Sequence, residues 1–280
     1  MVTSYPPERH VLRDLRFMFD EHGDGTSVAW LPVVPEVCTD MGSVRAGALA
    51  TLVDVLGGGA AATAAHPNWI ATADLTVHLV RRVAADAVEA RARVLRAGRT
   101  TVVIDVTLHD SNGASNTDER RLVGAATMSF SVLPRRDINP DIEATRAPGR
   151  SSMALENSRL DVPLLDALDV RTIDAARGVV EAPVAPWALN SMGAMQGGVV
   201  ATLVDAAGEV ALRHATVESL VVTDIELTYL AFGKVGPIRT AVDVLSASAR
   251  RGVARVEVVD AGSDARRMVV ARVTAGRLSA

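Results

Sequence analysis

The stretch NSMGAMQGGVVATLVDAAGEVAL, residues 190–212, decides the fold, because it has a close copy earlier in the chain. That copy, TDMGSVRAGALATLVDVLGGGAA, occupies residues 39–61, and ten of the 23 aligned positions are identical at a constant offset of 151. Each copy places one aspartate, Asp54 or Asp205, inside a run of apolar and small residues. The internal repeat indicates two related units in one chain.

Both copies are embedded in the same order of elements. Apolar and small residues occupy almost every helical face of residues 46–65, which predicts a helix enclosed by other structure, and residues 197–214 predict its counterpart. One strand candidate precedes each helix, and four segments that alternate in polarity follow it. Each unit therefore has the order β-α-β-β-β-β, an α+β pattern in which an antiparallel sheet wraps around a central helix.

The boundaries of the units follow from composition. We place the first unit at residues 1–133 and the second at residues 159–280. Residues 134–158 between them combine Pro, Gly, Ser and charge without periodicity, which is typical of a surface linker. Residues 8–20 and 159–174 both have a helical pattern, and we expect them to cap their units.

Composition limits the class of protein. With 280 residues, of which 49% are hydrophobic, the chain has enough apolar material for two cores. The net charge of −4, without clustered Lys or Arg, argues against a nucleic-acid partner. The single cysteine, Cys38, and the scattered histidines predict neither a disulfide nor a metal site. Because the apolar runs are interrupted before membrane length, we expect a soluble cytoplasmic protein without a membrane partner.

The repeated aspartates are the first candidates for chemistry. A carboxylate on an enclosed helix is costly to bury unless it is hydrogen-bonded or reaches a cleft. Asp54 and Asp205 could cap a neighbouring loop or act as a general base or nucleophile, and the pattern alone leaves both interpretations open. Gly197 and Gly198 fall where the second helix begins. Free N–H groups there can hold an oxyanion, although glycine is also an ordinary helix cap.

Several of these residues together resemble the motif of hotdog-fold acyl-CoA thioesterases, in the phenylacetic-acid-degradation branch. The matching residues are Asn190, Gly193, Gln196, Gly197, Gly198 and Asp205. In the family a histidine stands where this chain has Gln196. The segments TADLTVHLV at 72–80 and VTDIELTYL at 222–230 are also similar to the family. The resemblance covers nearly all of both units and implies two tandem hotdog units that form an intrachain double hotdog.

The resemblance implies an active site between the two central helices, with groups from both units. The first site would combine Asp54 and Thr72 with Asn190 and Gly197. Asp54 would activate water or attack the thioester carbonyl, and the Gly197 N–H would stabilise the oxyanion. Asn190 would orient the carbonyl group or the water, and Thr72 would position the water or the carboxylate.

The second site would consist of Asp205, Thr39, Ala46 and Thr223. Thr39 replaces the motif asparagine, Arg45 replaces the histidine and Ala46 replaces the first glycine. Val222 takes the hydroxyl position of the following strand unless Thr223 shifts into it. We therefore expect this site to be degenerate, which leaves one working site in the chain.

The resemblance also implies coenzyme A as part of the substrate, with no separate cofactor. The candidates to bind its phosphates are Arg81, Arg82, Arg135 and Arg136. Because hotdog units usually pair, we expect a homodimer that contains four units. One alternative is a catalytically eroded acyl-CoA-binding or regulatory protein, which Gln196 in place of histidine favours. A hydratase comes third, because the spaced Asp and His pair it would use is missing from the sequence.

Overall fold

The order of elements repeats in the two halves of the chain. The computed structural model describes residues 5–22, 26–111, 120–135, 149–216 and 220–279. The first half contains α1 (Val11–Asp14), β1 (Met18–Glu21), β2 (Thr26–Pro32), α2 (Ala46–Ala65), β3 (Trp69–Leu79), β4 (Ala87–Ala97), β5 (Thr101–Ser111), β6 (Leu122–Leu133) and β7 (Gly149–Ser152). The second half contains α3 (Leu164–Ala167), β8 (Arg171–Asp174), β9 (Val179–Ala182), α4 (Gly197–Thr216), β10 (Val221–Tyr229), β11 (Ile238–Ala247), β12 (Arg251–Asp260) and β13 (Arg266–Gly276). One-turn 3-10 helices at Pro35–Val37 and Pro186–Ala188 precede the two long helices.

The thirteen strands of the described residues form one antiparallel sheet. Their order is β7-β1-β2-β4-β5-β6-β3-β10-β13-β12-β11-β9-β8. β3 and β10 join the halves at the centre, where Asp224 pairs with His78 and Thr228 with Asp74. β7 lies within the predicted linker 134–158 and adds to the edge of the first half by pairing with β1. The sheet therefore runs without a break from one unit into the other.

The long helices lie inside the curved sheet. α2 is apolar and long enough to cross a membrane by length and composition alone, but in this fold 14 of its 20 residues are buried against sheet and helix. Leu49, Leu52 and Leu56 are among its fully buried side chains. α2 has the predicted bounds, and α4 extends two residues beyond the predicted 197–214. The predicted tandem double hotdog is confirmed.

The two long helices touch through their backbones. A Cβ atom on Gly47 would lie 2.5 Å from the Thr202 Cα atom, and one on Gly198 would lie 2.4 Å from the Thr51 Cα atom. These two contacts are related by the offset of the repeat. The hydroxyl groups of Thr51 and Thr202 donate to the carbonyl groups of Gly47 and Gly198, at 2.9 and 3.0 Å, so neither buried hydroxyl is unpaired. The first turn of each helix thus lies against the second turn of the other.

The predicted helices over 8–20 and 159–174 are wrong, because each is a single helical turn followed by a short strand. Arg16 (φ 55°) and Asp169 (φ 52°) adopt left-handed backbone conformations just after α1 and α3, which ends both helices. In β1 the burial then alternates, with Met18 exposed and Phe19 buried. In the first segment, this period of two overrides the helical spacing that precedes it.

Replacing Gly47 with alanine tests the backbone contact between α2 and α4. The added methyl group would overlap Thr202, so we expect the free energy of unfolding to fall by about 1–3 kcal/mol, the usual cost of overpacking a core. Gly58→Ala is the matched control on the same helix, because its new Cβ atom would have its nearest neighbour at 4.0 Å. Urea unfolding measures both variants, and equal stabilities would contradict the close contact.

Candidate active site

Asp54 lies in the middle of α2 and faces the start of α4. The Thr72 hydroxyl donates to Asp54 Oδ1 at 2.9 Å, and the Gln196 amide nitrogen donates to Asp54 Oδ2 at 2.8 Å. The backbone N–H of Gly198 also faces this carboxylate. Asp54 keeps 8% of its surface exposed, so the carboxylate is buried by the protein but still reachable from a cleft.

Gln196 has its amide orientation fixed by the helix that it precedes. Its Oε1 atom accepts a hydrogen bond from the Val199 N–H at 3.0 Å, as a helix-capping side chain does. Because the oxygen end is held by α4, the nitrogen end must face Asp54. Gln196 is only 5% exposed, so this bridge between the helix start and the carboxylate is largely shielded from water.

Gly197 leaves the space that the Asp54 carboxylate occupies. A Cβ atom on Gly197 would lie 2.9 Å from Asp54 Oδ2, so a larger residue would displace the carboxylate. The Gly197 carbonyl accepts a hydrogen bond from the Tyr229 hydroxyl at 2.9 Å. The Gly197 N–H has no hydrogen-bond partner among the described residues, and at a helix start it can receive an anionic oxygen.

The environment of Asp54 makes it a stronger base than an exposed aspartate. Burial raises its pKa to about 6, while the hydrogen bonds from Thr72, Gln196 and the Gly198 N–H oppose that rise. A pKa near 6 leaves the carboxylate mostly ionised at neutral pH with an increased affinity for a proton. This combination suits a general base.

Asn190 shapes the loop before α4. Its Oδ1 atom accepts hydrogen bonds from the backbone N–H groups of Met192 and Ala194, at 2.9 and 3.1 Å. Gly193 completes the turn with a φ of 69°, a conformation that glycine adopts without strain. Because the amide oxygen is used within the loop, the amide nitrogen is the group that Asn190 can offer to a ligand.

These residues border one cleft of about 2520 Å³, whose walls come from both units. The cleft is lined by Asp54, Thr72, Asn190, Gln196, Gly197 and Tyr229, among others. The structure thus brings together all four residues predicted for the first site. Tyr5 and Tyr229, the only tyrosines of the chain, also line the cleft and were not predicted from the sequence. The only hint in the sequence was that the chain contains just two tyrosines.

The equivalent position in the other unit is an ion-pair cluster. Arg45 Nη1 lies 2.7 Å from Glu209 Oε2 and 3.6 Å from Asp205 Oδ2. Arg213 pairs with the other oxygen of Glu209 at 2.6 Å. Asp205 is 1% exposed, and Arg45 and Glu209 are each 8% exposed, so this cluster is nearly dry. The guanidinium of Arg45 stands where the first site has the Gln196 amide.

Asp205 shares the burial of Asp54 but not its partners. Burial raises the pKa of Asp205 to about 6, Arg45 opposes the rise and Glu209 adds to it. The Thr223 hydroxyl donates not to this carboxylate but to Asp224 Oδ2, at 2.7 Å. The Thr39 hydroxyl is buried without a hydrogen-bond partner within the described part of the chain. Ala46, which replaces the first glycine of the motif, is the first residue of α2.

Four arginines were predicted to bind coenzyme A. The three that the structure describes are not among the residues that line the Asp54 cleft. Arg81 donates to the Leu122 carbonyl and Arg82 to the Met41 carbonyl, on the side of the second site. Arg135 is exposed after β6, and Arg136 lies outside the described residues. Basic side chains that do line the cleft include Lys234 and Arg266, which sequence analysis missed. Lys234 is the only lysine of the chain, and its Nζ atom donates to the Met192 carbonyl at 3.0 Å.

Metal-binding groups and the single cysteine are the other possible sources of chemistry. Among the described residues, no group of three or more His, Cys, Asp or Glu is placed to hold a metal ion. Burial raises the pKa of the Cys38 thiol, which donates to the Val34 carbonyl at 3.4 Å. A raised pKa disfavours the thiolate that a cysteine nucleophile needs.

A family model matches this chain in sequence, and several solved structures are similar to it in fold. Residues 41–116 and 192–265, more than half of the chain, match the family model of the thioesterase superfamily. No curated protein matches the chain in a sequence search. Similar solved structures include an acyl-ACP thioesterase from Bacteroides thetaiotaomicron, with 12% identity, coverage of 90% of this chain and 98% of that chain, and a TM-score of 0.58.

Two further solved structures have similar agreement. The tesB protein of Mycobacterium avium subs paratuberculosis is 14% identical, with coverage of 91% of this chain and 94% of that chain and a TM-score of 0.56. A protein with the hot dog fold from Alicyclobacillus acidocaldarius is 13% identical, with coverage of 90% and 94% and a TM-score of 0.55. Identities this low show the fold alone. The assignment to the phenylacetic-acid-degradation branch stays a prediction.

Replacing Arg45 with methionine tests the ion-pair cluster. The change removes the cation beside Asp205 and beside Glu209 Oε2. We therefore expect a loss of about 3–5 kcal/mol in the free energy of unfolding at about pH 8. The loss should be smaller at about pH 5, because the Asp205 carboxyl group, whose pKa is raised to about 6 in the folded state, is mostly protonated there and needs no cation. Urea unfolding at both pH values measures the difference.

The matched control is Arg171→Gln, which removes an exposed pair with Asp169 and should leave stability unchanged at both pH values. An Arg45→Met variant as stable as the wild type, or equally destabilised at the two pH values, would contradict this account of the cluster.

Proposed function

This chain belongs to the thioesterase superfamily, and from that premise we propose that it hydrolyses acyl-CoA thioesters at a single site built around Asp54. The family and the fold support thioester hydrolysis in general. One observation carries the narrower proposal: the Asp54 carboxylate of one unit lies against Gly197 at the helix start of the other, and the Gly197 N–H has no partner among the described residues. A base and an oxyanion donor therefore meet in one cleft.

In the proposed reaction, the thioester carbonyl oxygen accepts a hydrogen bond from the Gly197 N–H. Asp54 removes a proton from a water molecule while the water oxygen forms a bond to the carbonyl carbon. The tetrahedral oxyanion then collapses, the C–S bond breaks, and the sulfur leaves with the proton that Asp54 had taken. The products are the free acid and the coenzyme A thiol. An oxyanion donor of this kind contributes about 2.7–4 kcal/mol to transition-state stabilisation.

Thr72, Gln196 and Asn190 would position the reacting groups. Thr72 and Gln196 each hold one oxygen of Asp54, which fixes the plane of the carboxylate relative to the incoming water. The amide nitrogen of Asn190 would orient the carbonyl group or the water. Because all three groups are neutral, they stabilise the ionised base without pairing it with a cation.

The ion-pair cluster around Asp205 supports the proposal of one working site per chain. Asp205 lies 3.6 Å from the Arg45 guanidinium, and the adjoining helix starts with Ala46 and not with glycine. Because burial gives Asp205 a pKa of about 6 as well, the ion pair with Arg45 and the exposure of only 1% distinguish it from Asp54. The coenzyme A part of the proposal is supported by Lys234 and Arg266, which border the Asp54 cleft and could meet phosphate groups.

The first test compares hydrolysis of short, medium, long and aryl acyl-CoA thioesters by the wild type, Asp54→Ala and Asp205→Ala. We expect Asp54→Ala to lose about 10²–10⁴-fold in kcat, the usual contribution of a general base. Asp205→Ala is the matched control at the equivalent position of the repeat, and it should retain turnover once folding has been checked by circular dichroism.

The remaining outcomes separate the alternatives. Loss of activity in Asp205→Ala alone would reverse the assignment of the two sites. A wild type that binds acyl-CoA but turns over none of the thioesters would favour the eroded binding protein.

The pH dependence of kcat/KM tests the role of Asp54 independently. Only the ionised carboxylate can accept a proton, so kcat/KM should rise with pH and level off above the Asp54 pKa of about 6. The hydrogen bond from Thr72 lowers that pKa, so Thr72→Val should move the midpoint to higher pH. A profile that is flat across about pH 5 to 8, or a midpoint that Thr72→Val moves downwards, would refute this role.

A further inference from the structure

The two halves of the repeat differ sharply at one helical position. The offset of 151 that aligns Asp54 with Asp205 also aligns Gly58 with Glu209. In α4 the Glu209 side chain fills the space beside Asp205 and pairs with Arg45 at 2.7 Å. In α2 the same position carries no side chain at all.

The space above Gly58 is open. A Cβ atom built there would have one neighbour within 4 Å, the Phe130 ring at 4.0 Å, which is an ordinary van der Waals distance. Gly57, by contrast, lies so close to Met128 that a Cβ atom would be 2.7 Å from its sulfur. Packing therefore explains the glycine at 57 but not the one at 58. Alanine would fit at Gly58 and would favour the helix.

Gly58 faces the same cleft as the reacting groups. Residues four apart lie on one face of a helix, so Asp54, Gly58 and Ala62 form one row, and all three line the cleft. Slightly more than two helical turns separate Asp54 from Ala62, a distance of about 12 Å along the helix axis. Trp69 and Phe130 form walls of this part of the cleft. We call this part, floored by Gly58 and Ala62 and walled by Trp69 and Phe130, the acyl groove.

We propose that Gly58 determines acyl-chain specificity by leaving the acyl groove open to a medium-length apolar chain. The chain would run from the carbonyl carbon at Asp54 across Gly58 to Ala62, in contact with Trp69 and Phe130. The equivalent volume in the other unit is taken by Glu209. This inference rests on the proposed function, since it names the substrate class of the same site.

A side chain at Gly58 should shorten the groove. Gly58→Leu is expected to lower the ratio of kcat/KM for octanoyl-CoA to that for acetyl-CoA by about tenfold or more, because only the longer chain crosses residue 58. Ala62→Leu, one turn further along, should lower the same ratio by less. An unchanged ratio in Gly58→Leu would overturn the proposal, and so would an equal loss for the two substrates.

Folding and turnover are tested separately. Gly58→Ala should raise the melting temperature, since its Cβ atom meets open space and alanine is the better helix former; a lowered melting temperature would overturn the claim that the space is open. If Gly58→Leu does not fold, Ala62→Leu carries the test with the same ratio, and an unchanged ratio there would then count against the groove.

Binding distinguishes failure of the groove from failure of the proposed function. If the wild type hydrolyses no thioester, calorimetry with octanoyl-CoA and acetyl-CoA replaces kinetics. The wild type should then bind octanoyl-CoA more tightly, and Gly58→Leu should abolish that preference even though the hydrolysis proposal has failed. Equal binding of the two thioesters by the wild type would overturn the acyl groove itself.

Discussion

The backbone contact between α2 and α4 is the constraint on which the rest of the structure depends. Gly47 and Gly198 allow the helices to approach until each glycine meets the backbone of a threonine. Only at this separation does the Asp54 carboxylate reach the hydrogen-bond donors at the start of α4. A methyl group in the contact would push the base and the helix start apart. A displacement of about 1 Å is enough to impair a reaction that depends on geometry.

The two buried aspartates show how partners, more than burial, decide what a carboxylate can do. Burial raises the pKa of both to about 6. Asp54 is surrounded by neutral donors, which stabilise its charge without cancelling it. Asp205 has a guanidinium at 3.6 Å, which forms an ion pair inside a nearly dry cluster. Asp54 thus keeps the unpaired carboxylate that the proposed reaction requires, whereas Asp205 is held in an ion pair.

Local patterns in the sequence were sufficient to predict the repeat, the two long helices and the four residues that meet in the cleft. They failed over 8–20, where Val11, Leu12 and Leu15 fit a helical period while Phe17 and Phe19 fit a strand. They also could not predict the contact of Arg45 with Glu209, which are 164 positions apart and share no motif. The difference between Gly58 and Glu209 is visible in the alignment of the copies. Whether that difference leaves open space beside Asp54 depends on the side chains that pack around Gly58, and only the folded structure shows them.

The unbroken sheet through β3 and β10 has a consequence for how such a protein can diverge. In a symmetric pair of identical units, every substitution enters both sites, so neither site can change without the other. Here the positions of Gln196 and Arg45 are encoded separately within one continuous polypeptide. A residue that would be incompatible with chemistry can therefore be fixed in one half while the opposite half keeps its hydrogen-bonded base. Joining the units has made division of labour between them possible.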